Sequence, residues 1–307
     1  MYHFIVNPAA RSGLGKETWR ELRPLLDQKE LPYQVHFTRY QTHATKIAKE
    51  ITSDGARHTL IVLGGDGTVN EVLNGICHLS QTELGYIPLG SGNDLARGLG
   101  LPADPKEALE KILTAPVRPV DIGCIRYNGQ SRRFIVSAGL GFDAAVCHQV
   151  MVSKLKAIFN LLHLGKLTYA GVALQLLFFL RSGKMTILLD GRKKLALSNV
   201  YFAAAMNLPF EGGGFRFCPK ADCEDGTLNI IAVAGLPKLV LLLLLPTAFF
   251  GLHTHFPGIY TLTCKSAEFI SQEELPVHTD GEPVLRQKRI KVCLEKEKLL
   301  MKFINKQ

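Results

Sequence analysis

The chain has 307 residues, of which 47% are apolar, and its formal net charge is +9. This length allows two ordinary domains with substantial cores, and the composition excludes a disordered or fibrous chain. The positive charge favours an anionic partner: nucleic acid, a phosphorylated ligand or an acidic membrane leaflet. Because the basic residues are spread over the whole length without a dense run, nucleic-acid binding is the least favoured of these classes.

Cysteine usage and the first residues both indicate the cytoplasm. The seven cysteines show no C-x-x-C spacing, which is typical of free or buried thiols in a reducing compartment. The segment Met1–Pro8 lacks both a basic region and a long apolar region, so it does not resemble a signal peptide. We expect a cytoplasmic protein.

The first 120 or so residues alternate short apolar runs with amphipathic stretches. Strands alternating with helices predict right-handed βαβ units and a parallel sheet covered on both faces. We therefore predict a doubly wound α/β nucleotide-binding domain over residues 1–121. The predicted strands are Tyr2–Asn7, Tyr33–Thr38, Thr59–Leu63 and Leu84–Leu89, and the predicted helices are Lys16–Gln28, Thr42–Ile51 and Val69–Leu79.

The second half has a different pattern, in which strand follows strand with few helices between them. This order predicts an antiparallel β-sandwich domain over residues 122–295, with the tail 296–307 packing back on the first domain. Asp190-Gly191 is a plausible hairpin turn. The strand-like segments are Arg133–Ala138, Lys184–Asp190, Leu195–Met206, Leu228–Val233, Ile259–Ile270 and Arg289–Leu294.

Two apolar segments, Leu167–Leu180 and Leu239–Leu252, interrupt the strands of the second half. Each is fourteen residues long, which is shorter than the roughly 18 to 20 residues that cross a bilayer. They suit either buried helices or an apolar surface that touches lipid. We expect peripheral contact with an anionic membrane rather than a membrane span.

The clearest local motif is Gly64-Gly65-Asp66-Gly67-Thr68, which joins a buried apolar run to a helical pattern. Glycines let a phosphate approach the backbone, and the N-terminus of the next helix offers unpaired N–H groups to anionic oxygens. Asp66 would repel phosphate unless a cation lay between them, which indicates a contact with Mg²⁺ or water. A tight β–α turn whose glycines serve geometry alone is the alternative.

A second glycine loop, Pro88–Asp94, also follows a predicted parallel strand. Two such loops at the carboxyl ends of strands in one sheet define a crevice for a ligand. A third candidate, Asn7–Lys16, is not a Walker A loop, because Ala10 stands where the first glycine belongs and Glu17 follows Gly15-Lys16. The dinucleotide fingerprint after the first strand is also absent, which disfavours a dehydrogenase.

These motifs, taken together, resemble the diacylglycerol kinase catalytic-domain family, which includes bacterial soluble lipid kinases and sphingosine kinases. The similarity covers nearly the whole chain, and the motifs occur in the family's order. They are Asn7-Pro8 with Ser12-Gly13, Gly64–Glu71, Pro88–Asp94 continuing into Ala96-Arg97, Val120–Gly123, Ser137–Asp143 and Asp280–Glu282.

The resemblance implies ATP and Mg²⁺ as cofactors. Asp66 and Asp94 fall in the family's carboxylate, water and Mg²⁺ network. Ser91 stands where threonine is usual, but the hydroxyl is kept, whereas extra residues between Pro8 and Ser12 leave the phosphate donors of that loop open. The implied ATP-binding residues are Asn7, Pro8, Ala9, Ala10, Arg11, Thr38, Gly65, Asp66, Gly67, Thr68, Val69, Asn70, Glu71 and Ser91.

The resemblance also places the general base at Asp280 and a supporting carboxylate at Glu282. A lipid hydroxyl that attacks the γ-phosphorus needs its proton accepted, which a carboxylate can do. The residues themselves leave the alternative open that Asp280-Gly281 is a hairpin turn.

A structural metal loop is implied at Asp222, Asp225 and Thr227. Asp225 would bind through its side chain and the other two through main-chain oxygens, a donor set that suits Mg²⁺ or Ca²⁺. An acidic surface turn is the competing interpretation.

The expected activity is therefore phosphorylation of a lipid alcohol such as diacylglycerol. NAD kinases also carry a strand followed by Gly-Gly-Asp-Gly-Thr, so an enzyme that phosphorylates a polar nucleotide is one alternative. A non-catalytic lipid-binding protein on the same fold is the other. The acceptor lipid and the oligomeric state, including a homodimer, stay open.

Overall fold

The computed structural model describes residues 1–141 and 181–303. The first of its two sheets has six strands in the order β2-β1-β3-β4-β15-β5. All neighbours in this sheet are parallel except β5, which runs antiparallel to β15. The strands span Tyr2–Val6 (β1), Tyr33–Phe37 (β2), His58–Gly64 (β3), Thr82–Pro88 (β4), Val117–Val120 (β5) and Leu299–Lys302 (β15).

Helices cover both faces of this sheet, as the alternation of strands and helices predicts. Residues Leu60 to Leu63 of β3 are fully buried, which is typical of a central strand of a parallel sheet. The helices span Ala10–Gln28 (α1), His43–Thr52 (α2), Asp66–Gly75 (α3), Asp94–Leu99 (α4) and Pro105–Thr114 (α5).

The second sheet is antiparallel and has nine strands in the order β12-β11-β10-β8-β13-β14-β6-β7, with β9 pairing with both β10 and β13. One core cluster includes Phe134 from one end of this order and Cys264 from the other, so the sheet closes on itself as a sandwich. The strands span Gly123–Tyr127 (β6), Gln130–Phe134 (β7), Ser137–Gly141 (β8), Gly183–Leu189 (β9), Lys193–Met206 (β10), Leu228–Ala234 (β11), Ile259–Cys264 (β12), Ser266–Thr279 (β13) and Glu282–Leu294 (β14).

The predicted fold class, a doubly wound α/β domain followed by an antiparallel sandwich, is confirmed. Within the described residues the chain crosses between the sheets through Asp121–Ile122 after β5 and through residues 295–298 before β15. The last described strand, β15, thus lies inside the first sheet. The exact domain limits stay a prediction.

Two predicted strands are divided in the structure. Predicted strand Arg133–Ala138 ends at Phe134 and resumes at Ser137, because the amides of Ile135 and Val136 turn away from the ladder toward a buried carboxylate. Predicted strand Ile259–Ile270 is interrupted at Lys265, whose amide donates to Asp190 in the neighbouring hairpin turn. Long-range contacts that local patterns do not contain explain both breaks.

The first predicted helix begins earlier than expected. Helix α1 starts at Ala10, six residues before the predicted start at Lys16. Its glycines, which favoured a loop, permit close packing: a Cβ at Gly15 would collide with the carbonyl oxygen of Asn7. The predicted phosphate loop Asn7–Lys16 is therefore a short turn followed by a helix.

The predicted apolar segment Leu239–Leu252 begins as a helix, Lys238–Ala248 (α6). Leu244 and Ala248 are buried, but much of the remaining apolar surface of the helix is exposed. No helix in the two described parts of the chain is long and apolar enough to cross a bilayer. The other predicted segment, Leu167–Leu180, lies outside the described residues.

Candidate active site

The two predicted glycine loops meet at the carboxyl ends of β3 and β4. Gly65 is the residue before α3, and a Cβ added there would lie 3.2 Å from the Cα atom of Gly90. The amide of Leu89 donates to the carbonyl oxygen of Gly64 at 2.7 Å. The two backbones touch, so a side chain at either glycine would need its neighbour to move, and the crevice lies where open α/β sheets bind ligands.

Asp66 and Asp94 form a carboxylate pair at this crevice, each at the N-terminus of a helix. The Oδ2 atom of Asp66 accepts the amide of Asp94 at 3.0 Å. Burial, and next the negative charge of Asp94, raise the pKa of Asp66 to about 7. Asp94 forms an ion pair with Arg97 at 2.8 Å and accepts the amide of Gly213 at 2.8 Å.

Both carboxylates border the same open point beside Gly92. A Cβ added at Gly92 would lie 3.5 Å from Oδ2 of Asp66 and 3.7 Å from Oδ2 of Asp94. Two close carboxylates are mutually repulsive, and hard oxygen donors of this kind suit Mg²⁺. This donor set fits a divalent cation between a phosphate and the loop.

Asp280 is buried at the junction of the two sheets. It lies in the hairpin turn between β13 and β14, with φ of 49° followed by Gly281 at 77°, values typical of a type I′ turn. Its Oδ1 atom accepts the amides of Ile135, Val136 and Ser137 at 3.2, 2.8 and 3.1 Å. Asp280 is therefore both a hairpin-turn residue and the predicted site residue.

The other oxygen of Asp280 reaches the first sheet. Its Oδ2 atom accepts Nδ2 of Asn70 at 2.7 Å and the amide of Ile135 at 3.1 Å. Burial raises the pKa of Asp280, and the hydrogen bonds from Asn70 and the backbone oppose that shift. Since Asn70 lies one helical turn after Asp66 on α3, Asp280 is held beside the predicted phosphate loop.

Glu282 points at the glycine loop itself. A Cβ added at Gly67 would lie 2.6 Å from Oε1 of Glu282. Burial raises the pKa of Glu282; the Arg132 charge lowers it, and the charges of Glu71 and Asp280 raise it further. A half-buried carboxylate with a raised pKa beside a glycine loop is suited to accept a proton.

The remaining predicted ATP-binding residues are of two kinds: those in and around the crevice, and those whose side chains are engaged elsewhere in the first domain. Asn7 lies at the crevice, where its Nδ2 donates to Oγ1 of Thr68 at 3.1 Å and its Oδ1 accepts the amide of Ala9 at 3.1 Å. These contacts fix the turn before α1. Pro8 belongs to that turn, and helix α1 begins with Ala10 and Arg11. The amide of Thr38 donates to the carbonyl oxygen of Val6. Ser91 is exposed in the second glycine loop.

Two of these residues have side chains engaged elsewhere. Val69 is fully buried in the core of the first domain. The carboxylate of Glu71 accepts the amides of Thr42 and Ala44 at 2.8 and 3.2 Å, so it caps the N-terminus of α2. The amide of Val69 also has a partner, since it donates to the carbonyl oxygen of Gly65 at 3.2 Å.

Arg132 and the loop Glu211–Gly214 are site residues that sequence reasoning missed. The guanidinium of Arg132 donates twice to Oδ1 of Asn70, at 3.1 and 2.6 Å. In the loop, Gly213 donates to Asp94, and Glu211 is buried where it accepts the Ser137 hydroxyl at 2.7 Å. In the sequence, three consecutive glycines were a signal for this loop, whereas no local pattern singled out Arg132.

The predicted structural metal loop lies apart from these carboxylates. Oδ1 of Asp225 accepts both the amide and the hydroxyl of Thr227 at 2.8 Å. The Lys298 ammonium lies 2.9 Å from Asp121, whose other carboxylate oxygen accepts the amide of Gly226. Within residues 1–141 and 181–303, no group of three or more His, Cys, Asp or Glu could hold a metal ion. Because Asp222 and Thr227 are expected to bind through main-chain oxygens, the metal loop stays a prediction.

Comparisons with known proteins cover both domains. Residues 1–125 match the family described as "Diacylglycerol kinase catalytic domain", and residues 135–290 match "YegS C-terminal NAD kinase beta sandwich-like domain". A diacylglycerol kinase of Staphylococcus carnosus is 30% identical, over 91% of this chain and 87% of its own length.

Solved structures agree on the fold. A diacylglycerol kinase of Bacillus anthracis superposes with a TM-score of 0.73 at 24% identity, covering 99% of this chain and 96% of its own. An NAD kinase of Archaeoglobus fulgidus in complex with ATP reaches a TM-score of 0.54 at 12% identity, covering 100% of this chain and 94% of its own. At these identities the likeness shows the shared fold alone.

Proposed function

This chain belongs to the diacylglycerol kinase family of lipid kinases, and from that premise we propose that it transfers the γ-phosphoryl group of ATP to the hydroxyl of diacylglycerol or a related lipid alcohol. One observation carries the proposal: carboxylates from both sheets, Asp66 and Asp94 on one side and Asp280 and Glu282 on the other, converge on the crevice of the glycine loops. Phosphoryl transfer depends mainly on positioning and on charge neutralisation at such a place.

In this proposal the ATP phosphates lie over the loop Gly65–Asn70 and beside Ser91. The amides of Thr68 and Val69 donate to the carbonyl oxygen of Gly65, so the amides of Asp66 and Gly67 are the ones offered to anionic oxygens. The glycines allow close approach. Asn7 supports the loop through Thr68. Asp66 and Asp94 would hold Mg²⁺, which when bound neutralises charge on the phosphates.

For proton removal, the geometry favours Glu282 over the predicted base, Asp280. A carboxylate offers about four lone-pair sites, and Asp280 already accepts from four N–H groups, of which the Ile135 amide contacts both oxygens. Glu282, in contrast, faces Gly67. Glu282 then accepts the hydroxyl proton, and Asp280 positions Asn70 and the turn that carries Glu282. Asp280 as the base is the alternative, and the variants Glu282→Gln and Asp280→Asn separate the two assignments.

The test of function uses purified protein, labelled ATP and a panel of lipid alcohols in mixed micelles: diacylglycerol, a sphingoid base, phosphatidylglycerol and a polyprenol. We expect a labelled phospholipid product from one of them. Binding of ATP without turnover on any alcohol would support a non-catalytic lipid-binding protein, and labelling of added NAD would support a nucleotide kinase.

Helix α6 and the residues after it supply a surface suited to a membrane. Leu243 and Phe250 are 68% and 73% exposed, and they are surrounded by further exposed apolar side chains. Such a patch marks an interaction surface. From Gly226 to Ala267 the sequence contains no Asp or Glu, while Lys238 and the exposed Arg216 lie beside the patch. We assign this surface to an anionic lipid leaflet, which apolar and basic groups bind together.

Cosedimentation with vesicles tests this surface. Leu243→Glu should lower binding to phosphatidylglycerol vesicles at least several-fold, while Ile270→Glu, a matched change at an exposed residue of β13, should not. Equal binding by both variants would contradict the assignment. If Leu243→Glu instead converts a lipid-free dimer into a monomer, the patch is a subunit interface.

A further inference from the structure

Cys124 and Cys293 face each other across two strands of the second sheet. They form a directly opposite pair in the antiparallel ladder of β6 and β14. Cα atoms of such pairs are about 4.5 to 5.5 Å apart, within the range that a disulfide spans. Both cysteines are reduced, and each thiol shifts the pKa of the other. The Sγ atom of Cys124 donates to the carbonyl oxygen of Ile125 at 3.8 Å.

The pair lies beside both crossings between the sheets. Cys124 is the second residue of β6, immediately after the crossing Asp121–Ile122, and Cys293 is the last residue but one of β14, just before the crossing 295–298. The neighbouring pair Ile125 and Val292 belongs to the sandwich core, so the thiols point to the opposite face.

That face meets the first domain. Arg133 is paired with Cys124 in the ladder of β6 and β7, and its guanidinium donates to the carbonyl oxygens of Leu73 and Ile76 on and just after α3. A bond between the two sulfur atoms would therefore tie together the two covalent connections at the domain junction.

The surroundings make the two thiols unequal. Arg126 and Lys291, the next pair on the same face, place two positive charges near them, opposed by Glu295. The neighbouring Cys124 thiol, and then these two charges, lower the pKa of Cys293 despite its partial burial. The neighbouring Cys293 thiol, and then burial, raise the pKa of Cys124. A thiolate is the nucleophile in thiol oxidation.

We propose that Cys124 and Cys293 are a peroxide-sensitive dithiol that forms a reversible disulfide clamping the two crossings at the domain junction. The Cys293 thiolate attacks one oxygen of hydrogen peroxide and the O–O bond breaks, giving a sulfenic acid. The hydroxide that leaves takes up the proton that Cys293 released on ionisation and forms the first water. The Cys124 sulfur then attacks the Cys293 sulfur, and the S–OH bond breaks. The Cys124 proton and the departing hydroxide form water, so two thiols are oxidised and one peroxide is reduced to two waters.

The test treats the reduced full-length protein with a small excess of hydrogen peroxide, blocks the remaining thiols by alkylation and maps the peptides. We expect the peptides of Cys124 and Cys293 to be joined, and dithiothreitol to release them. Oxidation should also raise the midpoint of thermal unfolding by a few degrees, because the bond closes a long loop in the unfolded chain. Recovery of both cysteines alkylated, or of Cys293 as sulfinic acid beside alkylated Cys124, would overturn the proposal.

Two variants separate the partners without any assay of kinase activity. Cys124→Ser should accumulate a sulfenic acid at Cys293 that dimedone traps, while Cys293→Ser should consume peroxide at least tenfold more slowly. Cys264→Ser is the matched control, because Cys264 is also buried in the second sheet but is paired with Leu228. Equal oxidation rates of all three variants would contradict the assigned roles.

Discussion

The carboxylates that the two sheets place at the crevice have opposite electrostatic surroundings. Asp66 and Asp94, from the first sheet, lie close enough for the negative charge of one to raise the pKa of the other, and one guanidinium, from Arg97, pairs with Asp94. Asp280, from the second sheet, is more deeply buried, yet four N–H groups surround its oxygens.

This difference indicates two separate roles for the carboxylates of one site. Repulsion between ionised Asp66 and Asp94 is relieved by a proton or a cation, so this pair is prepared for an added ligand. The negative charge of Asp280 is balanced by amides of the protein itself, so Asp280 stabilises the junction. Glu282 lies between these extremes, since it is half-buried and the charge of Arg132 opposes the rise of its pKa.

The largest expected effect is on Glu282. Glu282→Gln should lower turnover by about 10²- to 10⁴-fold, the usual contribution of general base catalysis. The midpoint of thermal unfolding should change little, because the side chain is not part of the hydrogen-bond network of Asp280. Steady-state kinetics with ATP and the preferred lipid measure the effect, with Glu268→Gln on β13 as control. A loss of less than tenfold would return the role of base to Asp280.

Asp280→Asn should destabilise the fold by about 3 kcal/mol, because the new amide group would meet N–H donors that the carboxylate now accepts. ATP affinity should stay within a few fold. Asp190→Asn is a matched control in an equivalent turn, with φ of 49° and a glycine next, but exposed. Its effect on the free energy of unfolding in denaturant should be below about 1 kcal/mol. Equal effects in the two turns would remove the special role of Asp280.

The pH dependence of stability tests the first carboxylate pair. The pKa of Asp66 is about 7 in the folded protein, above its ordinary value of 3.8. Between these values the folded state keeps a proton that the unfolded state has lost, so this group's contribution to stability is present at low pH and is lost as pH rises to about 7. Asp94→Asn removes the repulsion, so the variant should lose less stability than the native protein as pH rises. The free energy of unfolding of the variant minus that of the native protein should be about 1 kcal/mol higher at pH 8 than at pH 5. An unchanged difference would contradict the coupling.

The smallest effect is expected at Gly67. A Cβ there would meet the flexible end of Glu282, so Gly67→Ala should displace that carboxylate without a large loss of stability. Turnover should fall a few fold to tenfold. Gly183→Ala is the control, since a Cβ at that position has no neighbour within 4 Å. Unaltered turnover in Gly67→Ala would show that the Glu282 position is not critical.

Local patterns predicted the first domain well because its signals are contiguous. Each buried strand, glycine turn and amphipathic helix of a βαβ unit lies within a few tens of residues, so periodicity and turn residues were sufficient. The start of α1 was wrong for the same reason: Gly13 and Gly15 favour a loop locally, and only the close packing of Gly15 on Asn7 explains the helix.

The second domain needed more than local patterns. Asp280 could be selected among the Asp-Gly pairs of the sequence only through family resemblance, since its turn geometry matches that of Asp190. The amides of residues 135–137 that bind it are over 140 positions away in the chain. The contact of Arg132 with Asn70 also joins distant segments.

The sequence by itself determined the α/β and β-sandwich classes, the glycine loops and the family, because these depend on short-range order and on motif succession. Tertiary structure alone decided which carboxylate is committed to amides and which faces the glycine loop. The physical reason is that desolvation and hydrogen bonding at Asp280 and Glu282 arise from groups that folding brings together across the two sheets.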